Sequence, residues 1–130
     1  MMERFKLARQ AIKIKESDIE KSIRRWLDLK GIFNWPTHAG QIIPAQTGVS
    51  DIGAVLPKSG RSLYIEVKLP GWRPPSEDSK RYRHYKRQKD FIESIRKSNG
   101  VAFFATSIGE VESQLEIERP IPARMGGDHG

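Results

Sequence analysis

One stretch constrains the fold more than any other. In Leu63-Tyr64-Ile65-Glu66-Val67-Lys68-Leu69 apolar and polar side chains alternate without a break, and a period of two belongs to an extended strand with one buried face. Leu63, Ile65, Val67 and Leu69 are assigned to the core face. Tyr64, Glu66 and Lys68 are assigned to the other. Everything else in the chain has to be arranged around this strand.

A second strand is predicted at 51–56, joined to the first by the turn residues Pro57-Lys58-Ser59-Gly60. Upstream, Ser17 and Glu20 have the spacing of a capping box, and Ile19, Ile23, Trp26, Leu27 and Leu29 follow at near-helical intervals until Lys30-Gly31, which predicts a helix over 17–30. Residues 32–38 are aromatic and extended in character, and 40–48 is loop-like with a possible short strand at 41–45. After the motif strand, Pro70-Gly71-Trp72-Arg73-Pro74-Pro75 enforces a loop. The longest helix is predicted over 77–98, closed by Ser98-Asn99-Gly100. A buried strand at 101–106 and a short helix at 108–115, capped near Ser107, complete the order. The fold class is therefore α/β, a mixed central sheet flanked by helices.

With 130 residues the chain is one domain, its core at about 17–116, with a basic segment at 1–16 and a tail at 117–130. There is no cysteine, which excludes a disulfide scaffold and a thiolate metal site. The longest apolar run, Val101-Ala102-Phe103-Phe104-Ala105, is far short of the roughly 20 residues of a membrane span. The N-terminal residues lack the apolar region of a secretory signal, so a soluble, cytoplasmic protein is expected.

The net charge of +7 suggests a polyanionic partner. It is unevenly spread: nine basic and five acidic side chains at 1–30, three and two at 31–72, nine and four at 73–97, two and five at 98–130. Both basic segments are predicted helices. A solvated helix face accounts for either one alone, whereas two in one small domain suit a surface that tracks phosphates. Neither has the apolar face of an interfacial helix, so a membrane is not the expected partner.

The chemistry lies in the nearly neutral middle. Glu66 and Lys68 alone are compatible with an ordinary pair on an exposed sheet face. Asp51, however, opens the partner strand directly after Gly48-Val49-Ser50, so its carboxylate can lie next to Glu66. Two carboxylates and a backbone carbonyl such as that of Val67 make an all-oxygen site for a hard cation such as Mg²⁺. Such an ion offsets the repulsion between these acids and a phosphodiester, and Lys68 is placed to orient water or neutralise charge.

Gly48-Val49-Ser50-Asp51, fourteen residues, then Glu66-Val67-Lys68 resembles the signature of the PD-(D/E)xK nuclease superfamily, with Ser50 where the namesake proline stands. Glu20 lies in the first helix, where several of these nucleases supply a further acid. Gln88 falls on the inward face of the long helix with Tyr85, Phe91, Ile92 and Ile95. The set Glu20, Asp51, Glu66, Lys68, Gln88 is similar to the VRR-NUC branch over about residues 17–116. The resemblance implies a restriction-endonuclease-like core, Mg²⁺ dependence with Mn²⁺ as a substitute, and phosphodiester hydrolysis. It implies Asp51, Glu66 and the Val67 carbonyl as metal ligands, Glu20 as an outer acid acting directly or through water, Lys68 as the catalytic lysine and Gln88 as a positioning residue. It also implies branched DNA such as four-way junctions as substrate, and no small-molecule cofactor.

Lys80, Arg81, Arg83, Lys86, Arg87 and Lys89 are the candidates for DNA phosphate contacts. Resolving a junction needs two opposed nicks and the chain carries one site, so a homodimer is expected. His38, His84 and His129 are too dispersed for a sequence-evident metal site and are assigned to the surface. Tyr64 either borders the site or packs. Trp72 and its proline-rich loop either wedge into a DNA branch or cover the sheet edge. Two functions remain in competition: a metal-dependent structure-specific endonuclease, on junctions or on flaps and ends, and a basic nucleic-acid-binding module without catalysis.

Overall fold

The computed structural model describes residues 13–37 and 48–118. The order is α1 (Glu16–Leu29), β1 (Phe33–Pro36), β2 (Ile52–Val55), β3 (Ser62–Val67), α2 (Tyr82–Lys97), β4 (Val101–Ala105) and α3 (Ile108–Ile117). The fold is mixed α/β: one four-stranded sheet in the order β1-β2-β3-β4 with three helices. β1, β2 and β3 run antiparallel to one another, and β4 pairs parallel to β3. A parallel neighbour requires a crossover, and α2 supplies it.

The alternation in the motif strand sorts the two faces. Leu63, Ile65 and Val67 join Ile52, Ala54, Val101, Phe103 and Ala105 in one apolar cluster, closed by Ile19, Ile23 and Leu27 of α1 and Val111 of α3. Truncating a fully buried member such as Ile23 to alanine costs about 2–5 kcal/mol. α2 packs against β3 and β4 from the other face, so its buried residues, Gln88 and Ile92, lie outside that cluster. One residue breaks the expected alternation: Leu69 is 41% exposed. The strand ends at Val67, and the turn through Pro70 and Gly71, whose φ is +84°, carries Leu69 off the sheet.

The turn between β2 and β3 is a hairpin closed by the Leu56 N–H donating to the Arg61 carbonyl at 2.9 Å, with Lys58 and Gly60 both at φ of +73°. The extended segment after the first helix is the edge strand β1. Its Asn34 is buried and ties β1 to α1, accepting from Arg24 Nε at 3.0 Å and donating to Asp28 Oδ1 at 2.7 Å. The possible strand at 41–45, most of the 1–16 segment and most of the 117–130 tail lie outside the described residues.

Helix limits depart from expectation in three places. α1 starts at Glu16, and the N–H of its cap residue Lys15 donates to Asp18 Oδ2 at 3.2 Å; Ser17 and Glu20 are already inside the helix and do not form the capping box. α2 starts at Tyr82, five residues later than expected, because residues 76–82 form successive turns around Ser79. α3 runs two residues further, to Ile117, and Ser107 caps it by accepting from the Glu110 N–H. The stops at Gly31 (φ +74°) and Asn99 (φ +68°) are as expected.

Candidate active site

Register brings the two acids together. Ile52 pairs with Ile65, which sets Asp51 opposite Glu66 on the face that α2 covers. Asp51 is held by the backbone of β3: its Oδ2 accepts from the Val67 N–H at 2.8 Å. The approach to Asp51 is equally constrained. Gly48 has a φ of +87°, and a Cβ there would lie 2.3 Å from the Arg87 carbonyl oxygen, so the segment entering β2 rests on the backbone of α2 one residue from Gln88. Ser50 is fully buried and its carbonyl accepts from the Thr37 hydroxyl.

Glu66, Gln88 and Lys68 form a continuous chain of hydrogen bonds. Gln88 Nε2 donates to Glu66 Oε2 at 2.9 Å, and Lys68 Nζ donates to Gln88 Oε1 at 2.9 Å. Lys68 Nζ also lies 3.8 Å from Glu66 Oε2. Glu66 is 4% exposed and Gln88 6% exposed, so this is a buried polar network whose members fix one another's rotamers. Burial pushes the Glu66 carboxyl up to about 9, with Asp51 adding to the rise as a second negative charge and as an acceptor for its proton. Lys68 works against the rise, and Glu16 adds a small push of its own.

The chemistry of the pair fits a cation. Oε1 of Glu66 is buried with no hydrogen-bond donor aimed at it among the described residues, beside the second carboxyl group of Asp51. A positive charge satisfies both oxygens at once. The cluster is a pair and not a triad: among the described residues no three His, Asp or Glu side chains group closely enough to hold a metal ion. Glu20 sits half-buried on α1, and the charge of Glu16, one turn earlier, is felt weakly at Glu66.

Around Lys68 the structure assembles rings that are far apart in sequence. Its Nζ lies 5.2 Å from the centre of the Trp72 ring and 5.9 Å from that of Phe104. Tyr64 packs edge-on against Phe91 with centroids 5.1 Å apart, which is a packing role. His84 is exposed, as expected, yet its Nε2 is 3.2 Å from Gln88 Nε2. The four-residue spacing on one helix is the sequence signal for that contact. His38 and His129 lie outside the described residues.

Lys80, Arg81, Arg83, Lys86, Arg87 and Lys89 are all exposed. Arg83, Lys86 and Arg87 lie on the exposed side of α2, and Lys86 is paired with Asp90 at 3.1 Å. Lys80 and Arg81 precede the helix in the turn region.

No family model, no curated protein and no solved structure matches the chain. No helix among the described residues is long and apolar enough to cross a membrane.

Proposed function

We propose that the protein is a metal-dependent nuclease of the PD-(D/E)xK type, with a restriction-endonuclease-like core and a VRR-NUC-like active site, acting on DNA through its backbone and shape. One observation carries the reading: the buried chain Glu66–Gln88–Lys68 stands beside Asp51 with an orphan carboxylate oxygen at its centre. Solvated sheet pairs do not need a buried glutamine between acid and base.

Asp51 and Glu66, with the Val67 carbonyl and Glu20 at the margin, are the oxygens proposed to hold Mg²⁺ or Mn²⁺. When bound, such an ion supplies charge neutralisation at the scissile phosphate and a water of lowered pKa. Asp51, locked to the Val67 N–H, gives the site a fixed edge. Gln88 keeps the Glu66 carboxylate and the Lys68 ammonium in register with each other, because its amide satisfies both. Lys68 places its positive charge where negative charge builds on the phosphate, and it orients the attacking water. The α2 stripe of Arg83, Lys86 and Arg87, with Lys80, Arg81 and Lys89, supplies backbone contacts that locate the strand without reading sequence.

Contacts to backbone from exposed basic side chains suit a substrate recognised by structure, and branched DNA such as a four-way junction is the proposed one. Two opposed nicks then call for a homodimer, and exposed Phe33 with its exposed cross-strand partner Val55 offers an apolar patch at the sheet edge for it. The proposed setting is the cytoplasm.

The test is cleavage of labelled four-way junction, flap, duplex and single strand, with Mg²⁺, Mn²⁺ or EDTA. Metal-dependent cutting that disappears in Lys68→Ala, Asp51→Ala and Glu66→Ala, while DNA binding survives, supports the nuclease. Binding that is indifferent to metal, with no cut on any of the four, leaves a basic binding module instead.

A further inference from the structure

The rings gathered at Lys68 are more than a lid on the sheet. Trp72 comes from the loop after β3, Tyr85 from α2 and Phe104 from β4. Trp72 and Phe104 are stacked with centroids 5.0 Å apart, Tyr85 and Phe104 stack at 5.8 Å, and Trp72 and Tyr85 lie at 5.9 Å. Tyr82 extends the group at 6.0 Å from Tyr85. None of the four belongs to the apolar core, and all four are only half-buried. Aromatic surface left partly open beside a half-buried lysine is costly unless something else covers it.

An open groove of about 600 Å³ begins at Phe104 and is lined beyond it by Ser107, Gly109, Glu110, Ser113 and Gln114. Its size is that of a ligand site. Its chemistry is not that of a phosphate site, because the lining has hydroxyls, an amide and a carboxylate but no Lys or Arg. The basic side chains stand elsewhere, on the outer stripe of α2. Backbone phosphates and this groove are therefore mismatched in charge, whereas the flat face and donor-bearing edge of a nucleobase match a ring wall followed by two hydroxyls, an amide and the acceptor oxygens of Glu110.

We infer that Trp72, Tyr85 and Phe104 form a stacking wall for one unpaired base, next to the phosphate addressed by Lys68, with the groove past Phe104 receiving the polar edge of that base while its phosphates stay outside. The inference rests on the nuclease reading for where the phosphate lies. It makes the substrate class specific: DNA with an unpaired or readily unstacked nucleotide at the cut, as at a flap or the centre of a junction, and not uninterrupted duplex. The Lys68 ammonium at 5.2 Å from the Trp72 ring holds the wall and the reacting phosphate within one nucleotide of each other.

The test uses 2-aminopurine placed in turn at each unpaired position of a flap oligonucleotide, in Ca²⁺ so that binding is read without cleavage. Wild-type protein is expected to quench the probe at one position, by stacking. Trp72→Leu, which keeps apolar bulk but removes the ring, loses that quenching and weakens binding to the flap by about 5- to 150-fold, the range of one base stacked on one ring. Trp72→Phe retains most of it. Phe104→Leu gives a second, independent loss should the loop variant fold poorly in thermal unfolding. No quenching at any position, or a Trp72→Leu protein that quenches and binds like wild type, overturns the stacking wall. Quenching without metal-dependent cleavage upholds the wall and retires the nuclease reading; cleavage without quenching does the reverse.

Discussion

Nε2 of Gln88 donates to Oε2 of Glu66 at 2.9 Å, and this bond sets the position of a carboxyl group whose other oxygen receives no donor among the described residues and is left to Asp51. The amide has two ends, and the second accepts from Lys68 at 2.9 Å. Without it, Lys68 and Glu66, already 3.8 Å apart, are free to close into a direct ion pair. Gln88→Ala is therefore expected to lower single-turnover cleavage by about 10- to 100-fold, the usual effect of losing an orienting partner, while DNA affinity changes little. Stability should fall by about 1–3 kcal/mol, because a buried acceptor loses its donor. Single-turnover rates alongside filter binding separate the two effects.

The two acids also make stability depend on pH and metal together. Glu66 is raised from 4.5 to about 9 in the fold, so the folded state keeps a proton that the unfolded chain releases. That contribution is complete below pH 4.5 and is lost as pH rises through 9. In EDTA the melting temperature should fall between pH 5.5 and 8.5. Mg²⁺ should raise it, and more at pH 8.5 than at 5.5, since proton and cation compete for the same oxygens. Glu66→Gln is expected to flatten both dependences. A Mg²⁺ response that survives unchanged in Glu66→Gln would place the cation elsewhere.

Gly48 is where the acid-bearing strand meets the helix that carries Gln88. A methyl group at this position meets the Arg87 carbonyl oxygen at 2.3 Å, and the φ of +87° is itself unfavourable for any residue with a side chain. Gly48→Ala should destabilise by about 2–4 kcal/mol and reduce cleavage, since relief of the clash moves Asp51 away from α2. Gly31→Ala is the control: its φ is +74° but nothing lies within 4 Å, so only the backbone cost of about 1 kcal/mol is expected. Urea unfolding of the two variants measures the difference.

Local pattern made the motif strand legible, and with it the pairing of Asp51 with Glu66, because register follows from a short hairpin and alternation tells which side chains share a face. Gln88 was legible for the same reason at a period of 3.6. The aromatic wall was not: Trp72, Tyr85 and Phe104 stand on a loop, a helix and a strand, and only the parallel β3–β4 pairing brings them to Lys68. The influence of Glu16 was hidden differently. It lies one turn before Glu20 on the same helix, and spacing alone does not say that its charge is felt at Glu66. Leu69 was misassigned because alternation continues in the sequence past the point where Pro70 and Gly71 end the sheet.

The charge on α2 offers a test that needs no cleavage. Arg83 and Arg87 stand one turn apart on the exposed stripe, and no carboxylate partner competes for them as Asp90 does for Lys86 among the described ion pairs. If each neutralises one phosphate, each contributes about one unit to the slope of log affinity against log salt. Arg83→Ala with Arg87→Ala should reduce that slope by about 2 and weaken binding on every DNA structure to a similar degree. Lys86→Ala should change it less, because its ammonium already spends part of its time on Asp90. Affinity measured from 50 to 300 mM KCl on junction and duplex decides the matter. An unchanged slope in the double variant would move the phosphate track off α2, toward the basic face of α1 with Lys21 and Arg25.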